Sequence, residues 1–105
     1  MNPEIIERMI TDGRDSYEAR LAAGQARLKQ GETALAIAHL EKAVALKPDQ
    51  SVAWQVLGQA FLNSEDPNGA RAAWTQGIAV ASQRGDQQAE KVMRVWLRRL
   101  DKTTG

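Results

Sequence analysis

The sequence repeats itself with a period of 34 residues, and this feature limits the possible folds more than any other. Sliding residues 17–50 by one period onto residues 51–84 aligns eight pairs of identical residues, which are Ala19/Ala53, Gly24/Gly58, Gln25/Gln59, Ala26/Ala60, Leu28/Leu62, Ala36/Ala70, Ala38/Ala72 and Ala45/Ala79. A contiguous Gly-Gln-Ala run, followed after one intervening residue by Leu, occurs in both copies. A fixed period of this length is typical of proteins built by stacking one small unit on the next.

Each period has the pattern of a helical hairpin. In the first copy, residues 17–50, one helical run extends to Gln30, Gly31 provides a stop, and a second run continues to Pro48. The second copy, residues 51–84, begins with another helical run. Asp66 and Pro67 then supply an N-cap and a first-turn proline for a helix that we expect to reach about Ser82.

Two further helices are predicted outside the repeats. Residues 3–12 place an apolar stripe on one side of a short helix, formed by Ile5, Ile6, Met9 and Ile10. Residues 86–101 form an amphipathic helix whose polar side carries Lys91, Arg94 and Arg98, and Lys102 continues this side directly after it. Because the terminal unit of a repeat stack needs a polar outer surface, we interpret this second helix as a solubilising cap.

The repeat resembles the tetratricopeptide repeat. Counting Ser51 as place 1, the second copy has the family's residues at the places where the motif is defined, namely Trp54, Leu57, Gly58, Phe61, Ala70 and Trp74. It departs from the family pattern at Gly77, where the family has Ala, and at Ser82, where it has Pro. We therefore expect a looser exit from this hairpin than in the family.

The first copy matches the same family less completely. It has the pattern at Gly24, Ala36, Leu40, Ala43 and Pro48, but Arg20, Ala23 and Arg27 occupy places where large apolar residues are expected. We expect the N-terminal helix to cover this side, so that the arginine stems line the joint and their charged heads reach water.

The resemblance implies an all-α fold of antiparallel helix-turn-helix repeats stacked as a short right-handed α-solenoid with a C-terminal capping helix. We predict a single domain over residues 1–105. Gly24 and Gly58 should remove a side chain where the two helices of each hairpin cross. We expect Trp54, Trp74 and Trp96 to fill joints between neighbouring helices rather than to stack on a ligand.

Composition and motifs argue against several classes of function. The chain has 14 Lys and Arg against 13 Asp and Glu, a balance that argues against nucleic-acid binding. It has no cysteine, which excludes disulfides, cysteine-liganded zinc and thiol catalysis. No signal peptide or membrane-spanning run is recognisable, so we expect a cytoplasmic location and no membrane partner. No nucleophile elbow or phosphate loop is present, and the single histidine, His39, is expected to be solvated. We therefore predict no catalytic residues, no metal, no cofactor and no enzymatic activity.

The family resemblance also implies a function, namely a small non-catalytic adaptor or scaffold that binds a protein or peptide in the concave groove formed by the first helix of each repeat. Carrying the family's groove places onto this chain gives Glu18, Leu21, Gln25, Leu28, Lys29, Val52, Gln55, Gln59, Leu62 and Asn63. One alternative is self-association through the N-terminal helix or an open end of the stack. Another is binding of an acidic partner or nucleic acid to the basic side of the last helix, Lys91, Arg94, Arg98 and Lys102.

Overall fold

A computed structural model describes residues 2–104, so Met1 and Gly105 of the predicted domain lie outside the described part. Within it the chain forms six α-helices and no strand. The helices are α1 (Pro3–Thr11), α2 (Tyr17–Lys29), α3 (Thr33–Leu46), α4 (Ser51–Asn63), α5 (Pro67–Arg84) and α6 (Gln87–Thr104). The last helix extends three residues beyond the predicted end at 101.

Local signals in the sequence set several helix ends. Ser16 caps α2 by accepting a hydrogen bond from the Ala19 N–H at 3.0 Å, and Asp66 caps α5 by accepting one from the Gly69 N–H at 3.0 Å. Gly31 follows α2 with φ of 78°, a backbone conformation that favours glycine. The equivalent position in the second repeat is Glu65, which adopts φ of 62°.

The six helices stack in two layers. Each hairpin packs on the next, and the first helices of the hairpins also approach one another, with α2 contacting α4 and α4 contacting α6. The second helices, α3 and α5, make no comparable contact within the described chain. An inner layer of α2, α4 and α6 therefore faces one side, and the outer helices diverge. The predicted all-α stack of helical hairpins is confirmed.

Close approaches at glycine hold each hairpin together. A Cβ atom at Gly24 would lie 2.6 Å from Leu40 Cγ, and one at Gly58 would overlap the indole ring of Trp74. Trp74 is 1% exposed and lies against Gly58. The predicted role of Gly24 and Gly58 at the helix crossings is confirmed, because a side chain at either position would force the helices apart.

The predicted looseness at the end of the second hairpin is wrong. Gly77 is buried, and a Cβ there would lie 2.5 Å from Met93 Sδ and 2.9 Å from Trp54 Cβ. The missing methyl group lets α6 pack closely on α5. Ser82 does not end the hairpin either, since α5 continues to Arg84 and closes at Gly85 with φ of 74°.

Candidate functional site

The ten predicted groove residues all lie on the two inner helices α2 and α4. Six are exposed, which are Glu18, Gln25, Lys29, Val52, Leu62 and Asn63. Leu21, Leu28, Gln55 and Gln59 are half-buried. Val52 and Leu62 are the two apolar residues among the six exposed ones, and they are 45% and 44% exposed, respectively.

Several of these residues already have partners within the fold. Leu21 and Leu28 pack against the core between α2, α3 and α4, so they also support the hairpin. The backbone carbonyl of Gln55 accepts a hydrogen bond from Trp74 Nε1 at 3.1 Å. Glu18 pairs with Lys47 at 3.1 Å, and its pKa is lowered first by its own backbone N–H and then by that lysine. Among the ten predicted groove residues, those that remain freely accessible are therefore Gln25, Lys29, Val52, Leu62 and Asn63.

A cleft of about 350 Å³ opens between α4 and α6. Its lining is formed by Gln59, Leu62, Trp74, Trp96, Arg99, Leu100 and Thr103. The rings of Trp74 and Trp96 lie with their centroids 5.4 Å apart and form its apolar floor. The sequence interpretation missed this cleft because it treated α6 as a cap with a basic outer side and did not consider its side towards α4. The signal was present, since counting the 34-residue period onward makes α6 the first helix of a further repeat.

A second depression, of about 390 Å³, lies on the outer side where α3 and α5 diverge. Val44 of α3, Trp54 and Phe61 of α4 and Ala72 of α5 are among its lining residues. The Nε1 atom of Trp54 donates to the Pro48 carbonyl at 2.8 Å. Trp54 therefore belongs to a different surface from Trp74 and Trp96.

A network of charged side chains attaches α1 to the first hairpin. Glu7 of α1 accepts from Arg27 at 2.6 Å and 2.9 Å, and its Oε2 lies 2.6 Å from His39 Nε2. Arg20 lies 3.1 Å from His39 Nδ1 and forms two hydrogen bonds with Asp15 at 2.8 Å and 3.0 Å. Because a guanidinium only donates, His39 Nδ1 accepts and Nε2 donates to Glu7.

This network corrects two predictions. His39 is buried, with 9% exposed, rather than solvated. The heads of Arg20 and Arg27 do not simply reach water, because both are bound to carboxylates and their side chains are 17% and 12% exposed. The reason is that α1 and the segment after it supply Glu7 and Asp15, which the helical pattern around His39 alone did not include.

The same contacts perturb the acidity of Glu7. The Arg27 guanidinium, which bonds directly to the carboxylate, lowers the pKa of Glu7 from 4.5 to about 2. The His39 side chain lowers this pKa further, and burial opposes both. Glu7 therefore stays ionised and bound to α2 and α3 at any moderately acidic pH.

The basic side of α6 is less positive than its sequence suggests. Lys91, Arg94, Arg98 and Lys102 are all exposed, as predicted for a polar outer side. Arg94 is bound to Glu90 at 2.9 Å, so its charge is partly neutralised. Arg98 lines a shallow depression beside Ile78 of α5. The four cations thus form an outward-facing strip, separate from the cleft.

Within residues 2–104, no helix combines the length and the apolar character needed to cross a membrane. Over the same residues, no group of three or more His, Cys, Asp or Glu side chains is arranged to hold a metal ion.

Comparison with known proteins identifies the family. The family model of the tetratricopeptide repeat matches residues 17–60. The TPR repeat-containing protein PA0015 of Pseudomonas aeruginosa is 41% identical over 99 residues, which cover 94% of each chain. The solution structure of protein BPP2914 from Bordetella parapertussis superimposes with a TM-score of 0.84 at 37% identity, covering 98% of this chain and 90% of that one. With its two hairpins, its glycine crossings and these relatives, the chain belongs to the tetratricopeptide repeat family.

Proposed function

We propose that this chain is a protein-interaction module that binds a peptide or a segment of a partner protein on the inner face formed by α2, α4 and α6. Tetratricopeptide repeats are in general protein-interaction modules and are typically not enzymes. We propose more narrowly that the chain acts as a small adaptor in the cytoplasm. The support for binding comes from the side chains exposed on the inner face.

The observation that carries the proposal is the exposure of Val52 and Leu62 on α4. Nearly half of each residue is accessible, on the same layer as the amide side chains of Gln25 and Asn63. Apolar side chains gain free energy when a partner covers them, and amides supply donors and acceptors to a peptide backbone. Such a surface suits an extended or helical peptide with apolar anchors.

A pull-down with two matched variants tests the proposal. The inner-face variant carries Val52→Glu and Leu62→Glu, which place two charges on the groove. The control carries Leu35→Glu and Leu46→Glu on α3, where the residues have similar exposures of 44% and 49%. Both variants are first checked for helix content and thermal stability. Proteins captured from a lysate of the source organism are then identified by mass spectrometry.

The expected result is a partner that is retained by the wild type and by the α3 control but lost by the inner-face variant. If the α3 control loses the partner and the inner-face variant keeps it, the working surface is the outer side and the proposal is wrong.

Self-association is the second candidate, and one observation favours it. Ile5 and Met9, one turn apart on α1, are 57% and 39% exposed. Such a patch on an end helix can be covered by another copy of the chain. Sedimentation velocity over a range of concentrations, with Ile5→Glu as the comparison, separates the two candidates. A mass that rises with concentration in the wild type and not in the variant supports self-association.

A further inference from the structure

The cleft between α4 and α6 has a composition that specifies what would bind in it. Its floor is apolar, because Trp74, Trp96 and Leu100 form it. Its rim carries the amide of Gln59 and the guanidinium of Arg99. Among the described residues that line it, none carries a carboxylate. The volume of about 350 Å³ lies at the small end for binding pockets, which fits one large side chain better than a cofactor.

Arg99 differs from most other arginines of the chain. Arg20, Arg27, Arg71, Arg84 and Arg94 each form an ion pair with a carboxylate. Arg99 is exposed and, within the part of the chain that the structure describes, forms no ion pair. A guanidinium beside an apolar floor retains its capacity for a bidentate bond to a carboxylate from another molecule.

We infer that this cleft is the anchoring subsite for a peptide that carries a large apolar side chain next to an acidic residue. The apolar side chain enters against Trp74 and Trp96, and the carboxylate pairs with Arg99 at the rim. Gln59 on α4 lies within reach of the peptide backbone on the opposite wall. This inference rests on the proposed function, because it names the chemistry of the ligand for the same inner face.

The geometry separates this subsite from the basic strip on the outside of α6. Arg98 is the neighbour of Arg99, carries the same charge and forms no ion pair in the described chain, but it faces Ile78 on the α5 side. Helical rotation of about 100° per residue accounts for the separation. Arg98 therefore provides a control in which the same charge change is made one residue away from the cleft.

NMR titration of the full chain with short synthetic peptides tests the inference. The probe is an end-blocked peptide with one phenylalanine between two aspartates. Two comparison peptides replace the phenylalanine with alanine or the aspartates with lysines. The three indole N–H signals, assigned with Trp54→Phe and Trp96→Phe, report on separate surfaces, because Trp54 lines the outer depression while Trp74 and Trp96 line the cleft.

We expect the acidic phenylalanine peptide to shift the indole signals of Trp74 and Trp96 and to leave that of Trp54 unchanged. The alanine peptide should give no such shift. Arg99→Glu should weaken binding of the acidic peptide about tenfold, as expected when a charge next to a ligand carboxylate is reversed, whereas Arg98→Glu should change it less than about twofold.

Three results would overturn the inference. The first is no response of Trp74 and Trp96 to the acidic peptide at millimolar concentration. The second is an equal loss of affinity in Arg98→Glu and Arg99→Glu, which would indicate attraction to the overall charge of α6. The third is a shift of the same indoles when the protein alone is concentrated, which would make a second copy the occupant.

The same spectra distinguish failure of this inference from failure of the proposed function. If the backbone amides of Gln25 and Val52 respond to a peptide while Trp96 does not, the inner face binds peptides and only the anchoring subsite is wrong. If neither group responds and the inner-face variant also keeps its pull-down partner, both proposals fall.

Discussion

Replacing Gly58 with alanine should destabilise the protein although alanine is the better helix former. An added Cβ would overlap the Nε1, Cδ1 and Cε2 atoms of Trp74, a residue that is only 1% exposed. Overpacking of this kind costs about 1–3 kcal/mol. Displacing the indole also strains its hydrogen bond to the Gln55 carbonyl, worth about 1 kcal/mol.

The higher helix propensity of alanine offsets about 1 kcal/mol of this cost at an interior helix position. The net loss for Gly58→Ala is therefore about 2 kcal/mol, which lowers the melting temperature by roughly 10 °C for a domain of this size. The repeat supplies an internal comparison, because Gly24 occupies the equivalent place in the first hairpin. There the neighbour is the aliphatic side chain of Leu40, which forms no hydrogen bond through its side chain, so Gly24→Ala should cost less.

Urea and thermal unfolding followed by far-UV circular dichroism measure both variants. The decisive experiment repeats Gly58→Ala in a Trp74→Phe background, where the three overlapping ring atoms are replaced by a smaller ring. The cost of Gly58→Ala should fall there by about 1 kcal/mol or more. An unchanged cost in that background, or a wild-type melting temperature for Gly58→Ala, would refute the packing explanation.

Three further perturbations have defined outcomes. Glu65→Gly should raise stability by about 0.5–1 kcal/mol in urea unfolding, because glycine adopts the positive φ at this position without strain. The lowered pKa of Glu7 stabilises the fold fully above pH 4.5, and up to about 3 kcal/mol should be lost as the pH falls from 4.5 towards 2. In Glu7→Gln this part of the pH dependence should disappear from unfolding curves recorded across that range. Asp66→Ala should cost about 1 kcal/mol because it removes the N-cap of α5, whereas Gln50→Ala should cost little, since the Gln50 side chain makes no capping bond.

The features that depend on the repeat were accessible from the sequence. Gly24 and Gly58 recur one period apart, and the structure places both at helix crossings. Periodicity succeeds here because each hairpin packs mainly on its neighbours, so that contacts close in sequence determine most of the fold.

The features that depend on residues outside the repeat could not be predicted from the repeat pattern. His39 binds Glu7, which is 32 residues earlier in the chain, and no rule about spacing within a helix connects them. Gly77 departs from the family pattern, but its close approach to Met93 becomes visible only once α6 is in place.

The candidate site shows the same division. Matching this chain to the family's motif proposed Val52 and Leu62 for the inner face, and the structure leaves both exposed. The motif match did not propose Trp96 and Arg99 for this face. The interpretation of α6 considered only the charges on its outer side, whereas its other side forms a wall of the cleft beside α4.

The pairing of Trp74 with Trp96 has an optical consequence. Their ring centroids are 5.4 Å apart with the planes tilted by 45°, and the two indoles belong to α5 and α6. At this separation the electronic transitions of two indoles couple, so we expect a near-ultraviolet dichroism band that exists only while α6 is docked on α5. The chain thus carries a built-in chromophore pair that reports on its last helix without any label.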